Sequence, residues 1–276
     1  MWSVRFYLCN ILLAFAILII TKLWPESHLL AKASIENGPY EVATALILML
    51  GAVALSWQLI RRSHTDWRMR AALVAMAAIC FLGAGEEISW GQHWLKFQTS
   101  EFFTTHNHQR ETNLHNLIPA VVFSTAINVV IYSVFTLFPV IHWAFPKNPL
   151  SNKISRWGFS PWIPNLDIGL MMLLASCFHA WLIPATYSDT AVLIFCWLIA
   201  AGLMIGRGRS ANTLQITREQ WLMLGLTVVG FALCVWLADI FRYHNMQYEI
   251  RECFTAYIIV IWALSWNRQA ILQGGV

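Results

Sequence analysis

The sequence predicts an all-α integral membrane protein, a bundle of about eight transmembrane helices with both termini in the cytoplasm. Three observations predict it. Of 276 residues, 58% are hydrophobic and only 12% charged, whereas soluble domains carry about 25% charged residues. Apolar stretches recur along the whole chain, each about 20 residues, enough to cross roughly 30 Å of hydrocarbon as a helix. Lys and Arg are distributed unequally between the alternating loops.

The first span, 4–24, is long, lacks a small-x-small cleavage site and runs into Lys22 and Trp24-Pro25. It reads as a membrane helix rather than a cleaved leader. The second and third are 41–60 and 71–90. The fourth, 117–144, exceeds what a bilayer needs and fits if it tilts or ends in an interfacial turn. The fifth, sixth and seventh are 167–184, 189–206 and 220–240. The eighth, 247–266, is the least apolar, because Glu249, Arg251 and Glu252 lie in its first turns. The longest gap, 91–116, is too short for an independent domain, so 1–276 reads as a single polytopic membrane domain.

With that threading, the N-terminus, the even-numbered inner loops and the C-terminus hold twelve Lys/Arg, and the opposite loops hold six. Acids are biased the other way. Asp66, Asp167 and Glu219 fall inside; the other eleven fall outside, with seven of the nine histidines. Positive-inside bias by itself accounts for exposed Glu26, Glu36 and Glu101. It accounts less well for Glu86, Glu87 and Asp239, which lie at or within span ends.

The six cysteines show no CxxC and no framework spacing, so they read as small packing hydrophobes. Nine of the fifteen tryptophans sit near span ends, as an aromatic belt does; a sugar-stacking role for Trp90 and Trp94 is not required. Phosphate-cradling GxxxxGK[ST], GxSxG and HExxH are absent. Nucleic-acid module signatures are absent too, so no nucleic-acid partner is expected.

Chemistry concentrates in GAGEEISWGQHW, 83–94. Were the helix to continue, Glu86, Ser89 or Trp90, and His93 would share a face. Ionisable residues within a span are functional candidates by default. The following segment carries His106, Asn107, His108, Gln109, Glu111, Asn113, His115 and Asn116. On a helix, Glu111 and His115 stand at i, i+4, a spacing that presents two ligands to one divalent metal. A plain polar loop folded on the bundle explains the same residues. The third polar segment offers Asp239, Glu249 and Glu252, with Arg242 and Arg251 near enough for internal pairing. Otherwise these acids form a second wall of a cleft facing Glu86 and Glu87.

At GEEISWGQ, Gly85 to Gln92, and NHQRETNLHN, 107–116, the chain resembles a family of bacterial multi-pass membrane proteins with GEEISWGQ and N-x-Q-x-E-x-NLHN signatures. The resemblance covers about 30 of the 276 residues. It implies a bacterial cytoplasmic (inner) membrane protein and brings no activity. In that family another basic residue often replaces His93, and His106 and His108 lie outside the signature. The resemblance therefore favours Glu86, Glu87, Glu111 and His115 as catalytic candidates. Ser89-x-x-x-His93 is also similar to the Ser/His pair of alkaline-ceramidase-type zinc amidohydrolases, but this chain lacks their His-x-x-x-His.

Three function classes follow. The first is a hydrolase or transferase acting at the outer face on a lipid-linked or head-group substrate. Carboxylates serve it as general acid and base, one kept protonated by its neighbour and by desolvation. Trp90, Gln92, Asn107, Gln109, Asn113, Asn116, Asp239, Glu249 and Glu252 then hold the substrate, and Glu111 with His115 hold the metal if one binds. The second is a proton-coupled transporter. The third is a non-catalytic scaffold that docks another envelope membrane protein.

Overall fold

The computed structural model describes residues 2–24, 38–61, 66–107, 110–179, 187–208, 216–240 and 246–272. The described residues fold into helices joined by turns and irregular connections and contain no strand. In chain order, the helices are α1 (Trp2–Leu23), α2 (Pro39–Arg61), α3 (Trp67–Glu87), α4 (Gln92–Leu95), α5 (Glu101–His106) and α6 (Ala120–Val130). After a π-helical segment, Ile131–Leu137, come α7 (Phe138–Ala144), α8 (Pro149–Arg156), α9 (Leu166–Ala175), α10 (Tyr187–Gly208), α11 (Arg218–Trp236) and α12 (Met246–Leu272).

Among the described residues, seven helical stretches are long and apolar enough to cross a membrane: Ser3–Leu23, Pro39–Arg61, Trp67–Glu87, Val121–Ala144, Ser160–Phe178, Ser188–Arg207 and Arg218–Trp236. Most leave their apolar circumference uncovered by protein: Leu12, Leu13, Leu50, Val53, Phe195 and Val229 are all exposed. A helix apolar all round and left uncovered matches lipid as its surroundings. The eighth predicted span, 247–266, falls within α12, a 27-residue helix that is not among these seven. Glu249, Arg251 and Glu252 at its start and Asn267, Arg268 and Gln269 near its end shorten its apolar stretch.

The chain divides into two compact units, 1–34 with 129–258, and 35–128 with 259–276. In the first, α9 is the central helix. Every residue from Leu166 to Ala175 except Asp167 is buried, and the 3-10 turn Ser176–Phe178 continues that core. Asn165 caps α9 by accepting the Ile168 N–H (3.0 Å). The Tyr7 hydroxyl of α1 donates to the Met171 carbonyl (2.7 Å). Thr217 and Gln220 form a capping box at α11, and the Gln220 amide reaches Asp167 (2.7 Å). Arg5 pairs with Glu219 at 2.9 Å, and Lys22 with Asp239 at 2.5 Å.

The fourth span runs Val121–Ala144, starting four residues later than 117–144 predicts, and its middle is π-helical. Pro139 lacks the N–H that would bond the Phe135 carbonyl, and the ladder slips register just before it. The Thr136 hydroxyl takes up the Ile131 carbonyl (3.0 Å). Gly169 of α9 packs against this segment. A Cβ there would stand 3.0 Å from Pro139 and 3.3 Å from the Thr136 carbonyl oxygen.

In the second unit α2 and α3 pack side by side, and Gln58 of α2 donates to the Leu264 carbonyl of α12 (3.3 Å). All six cysteines are free thiols, five of them buried.

Candidate functional site

The helix expected to carry Glu86 through His93 ends at Glu87. Three successive residues then take left-handed backbone: Ser89 (φ 45), Trp90 (φ 56) and Gly91 (φ 78). Only Gly91 adopts this without strain; Ser89 and Trp90 are held there by what surrounds them. The Trp90 ring folds back over Gly85, where a Cβ would meet three ring atoms at 2.8–2.9 Å. The Trp90 indole N–H donates to Glu86 Oε1 (2.9 Å), and the ring meets Phe81 edge-on.

That reversal brings the two polar motifs together. The Ser89 hydroxyl donates to Glu111 Oε2. His93 Nε2 lies 2.9 Å from Glu111 Oε1. The Asn113 amide nitrogen donates to Ser89 Oγ (3.0 Å) and to Glu111 Oε2 (3.1 Å). Asn113 is itself fixed by Asn107, whose amide nitrogen donates to both the carbonyl and the side-chain oxygen of Asn113 (2.8 Å each). Ser89 and Asn113 are each only 2% exposed and Asn107 4%. The His93 side chain keeps 33% of its surface in the open, against 13% for Glu111. The imidazole thus forms the accessible edge of an otherwise enclosed carboxylate.

A second set of contacts fixes the backbone of the same loop. Glu86 Oε2 accepts the Leu114 N–H (2.5 Å). Gln92 accepts the Thr112 N–H through Oε1 (2.8 Å) and donates to the Thr99 hydroxyl (2.5 Å). Glu86 therefore holds an indole and a backbone amide. Glu87, the last residue of α3, is half-buried.

Glu111 and His115 do not share a helical face. Residues 111–114 form a bend, and His115 only opens a short 3-10 turn, His115–Leu117. In this irregular segment the Thr112 and Leu114 amides bond to side chains of the other motif, and the Asn113 amide bonds to the Glu111 carbonyl (2.9 Å). The His115 side chain, with His108 and Gln109, lies outside the described residues. Asn116 in the same turn is half-buried. His106 ends α5, with Nδ1 against the Phe102 carbonyl (2.9 Å) and its ring stacked on Phe102. Among the described residues, no group of three His, Cys, Asp or Glu is arranged to hold a metal ion.

Asp239, Glu249 and Glu252 belong to the first unit. Asp239 is paired with Lys22, which holds its carboxyl below the usual carboxylate range. Glu249 is half-buried and Glu252 exposed; Glu252 interacts electrostatically with Arg251. No protein-family model, curated protein or solved structure matches the chain.

Helical spacing alone does not bring Ser89 and His93 to Glu111. The signal that could is GEEISWGQ itself. Gly91 after Ser-Trp marks a chain reversal, and a reversal removes the helical face on which Glu86 and His93 would line up.

Proposed function

We propose that the chain is a membrane-embedded hydrolase or transferase whose reacting group is the Ser89 hydroxyl, acting on an ester or amide of a lipid-linked or head-group substrate. One observation carries this. The half-buried Glu111 carboxylate takes the Ser89 hydroxyl on one oxygen and faces the His93 imidazole on the other, and Ser89 is the first of two consecutive strained left-handed residues, Ser89 and Trp90. Such strain concentrates at active sites.

In this reading Ser89 Oγ bonds the carbonyl carbon while its proton passes to Glu111 Oε2. The bond to the leaving oxygen or nitrogen then breaks as Glu111 hands that proton on. Water, or an acceptor hydroxyl, reverses the two steps and frees Ser89. His93 and Asn113 keep the carboxylate aimed at Ser89. Glu86, Gln92 and Asn107 are positioning residues.

The test needs no known substrate. A fluorophosphonate phosphonylates activated serines, and intact-mass analysis locates the adduct. We expect one adduct on Ser89, absent from Ser89→Ala and slowed about a hundredfold in Glu111→Gln, the scale of a lost general base. A folded wild-type protein that stays unlabelled at Ser89 refutes the reading.

A scaffold reading is favoured by one fact, the 2% exposure of Ser89. Then a partner protein co-purifies with the wild type and with Ser89→Ala alike.

We also read α12 as an eighth crossing, with both termini on the cytoplasmic face of a bacterial inner membrane. The twelve-to-six division of Lys and Arg supports this. Cysteine-accessibility mapping should find 95–105 outside and 147–156 inside; finding both on one side ends this topology.

A further inference from the structure

The first unit contains a second group of buried polar side chains that the chemistry at Ser89 does not use. Gln247 and Arg251 stand one turn apart on the same face of α12 and are 1% and 6% exposed. Arg251 interacts electrostatically with Tyr132, Asp189, Glu252 and Tyr248. Tyr132 lies in the π-helical segment of the fourth span, and single π turns inside α-helices frequently mark functional sites. His179 Nδ1 is 3.1 Å from Asp189 Oδ2, within ion-pair range. The Tyr248 ring meets the His179 ring at 5.1 Å between centroids.

Arg251 and Asp189 have partners; the neutral members of the cluster are less well satisfied. Among the described residues, neither end of the Gln247 amide has a hydrogen-bond partner, and the Tyr132 hydroxyl has only Ser176 within reach. Ser176, beside Tyr132, gives its own proton to the Met172 carbonyl (2.8 Å). A buried amide with no partner is expensive, and native proteins rarely keep one without a use.

The chemistry of the unsatisfied groups defines what fits. Gln247 N–H and Tyr132 O–H are donors beside a guanidinium, which suits phosphate oxygens. Gln247 Oε1 is an acceptor in a cluster that also contains the Asp189 carboxylate, which suits an ammonium. A purely anionic ligand would meet Asp189, and a purely cationic one would meet Arg251. We propose that Tyr132, Asp189, Gln247 and Arg251 form a binding site for a phosphoethanolamine group, either free or as the head group of a phospholipid. Intramembrane polar residues of this kind face a ligand or a wet cavity by default.

The experiment uses the full chain, delipidated in detergent. Native mass spectrometry measures retention of phosphatidylethanolamine, phosphatidylcholine and phosphatidylglycerol, and calorimetry measures free O-phosphoethanolamine. We expect phosphatidylethanolamine to be retained over phosphatidylglycerol, which lacks the ammonium, and over phosphatidylcholine, whose ammonium has no N–H to donate. Gln247→Leu and Tyr132→Phe should each weaken that retention about tenfold, the effect of one buried hydrogen bond. Binding of the lipid alone assigns the site to a membrane head group; binding of the free compound alone assigns it to a soluble ligand; either supports the proposal. Equal retention of the three lipids without binding of the free compound overturns it, as does wild-type binding by both variants; the cluster then holds internal water only. Tyr132→Phe keeps the ring in place, so it decides the matter if Gln247→Leu lowers the unfolding midpoint.

Discussion

Removing the Glu86 carboxylate tests whether the loop at 110–117 is held by side chains of the preceding motif. Glu86 makes two charge-assisted hydrogen bonds, to the Leu114 amide (2.5 Å) and the Trp90 indole (2.9 Å). Bonds to charged groups contribute about 1.5–3 kcal/mol each. Glu86 is only half-buried, so the low end applies, about 1.5 kcal/mol per bond, and only the Leu114 bond ties the loop. Glu86→Ala should therefore raise the opening equilibrium of residues 112–117 about tenfold, at about 1.4 kcal/mol per factor of ten. Glu86→Gln keeps one acceptor and turns an amide nitrogen toward a donor, so its effect should be roughly half as large in free energy. Amide hydrogen exchange by mass spectrometry reads both directly. Unchanged exchange at 112–117 in Glu86→Ala would show that the clasp is incidental, and Glu86 would return as a candidate for chemistry.

Gly85→Ala places a Cβ 2.8 Å from the Trp90 ring; overpacking of this kind costs about 1–3 kcal/mol, and a lower unfolding midpoint with slower Ser89 labelling should follow. Gly169→Ala meets Pro139 at 3.0 Å and a backbone oxygen at 3.3 Å. A loss of similar size, about 1–3 kcal/mol, should appear in the midpoint while Ser89 labelling stays unchanged. Thr217→Ala removes the capping box of α11 and should lower stability by about 0.5–2 kcal/mol. The Lys22–Asp239 pair gives a pH dependence of known sign. Because Lys22 depresses the Asp239 carboxyl, its contribution is complete above the ordinary carboxylate value and is lost as pH falls through the depressed one. With Asp239 59% exposed the effect is at most about 1 kcal/mol; an acid limb of the stability curve identical in Lys22→Met would show that the pair contributes nothing.

The spans were legible because a membrane helix needs only length and apolarity, and both are written in composition. Pro39–Arg61 and Ser188–Arg207 lie within a few residues of the predicted 41–60 and 189–206. What composition does not carry is a break in the helix. Glu86 to His93 satisfies helical spacing, and only the backbone at Ser89, Trp90 and Gly91 cancels it. The polar motifs were legible as motifs, but their pairing was not, since residues 22 or 28 positions apart in sequence leave no periodic trace. The polar side of α12 was half legible. The charges at its start were read as ion pairs or a cleft wall, yet the informative residue is the neutral Gln247, which no charge count reveals.

The two motifs read most economically as the halves of one clasp. Backbone outside a helix must find hydrogen-bond partners, most strictly where water is scarce. In the stretch from Ile88 to Leu117, side chains supply them: Glu86 to the Leu114 amide, Gln92 to the Thr112 amide, Asn107 to the Asn113 carbonyl. Those three residues are accounted for by folding. Ser89, His93 and the Glu111 carboxylate are not. Their mutual bonds satisfy no backbone group, and a core of the same shape made from apolar side chains would hold the loop without burying a carboxylate. A feature that architecture does not require, placed where the backbone is most strained, is where chemistry should be sought. The clasp residues should therefore change loop exchange and Ser89 labelling together. His93→Phe, which fills the same space without an imidazole, should slow labelling and leave exchange as it is; if it moves both equally, the distinction between clasp and reacting group collapses.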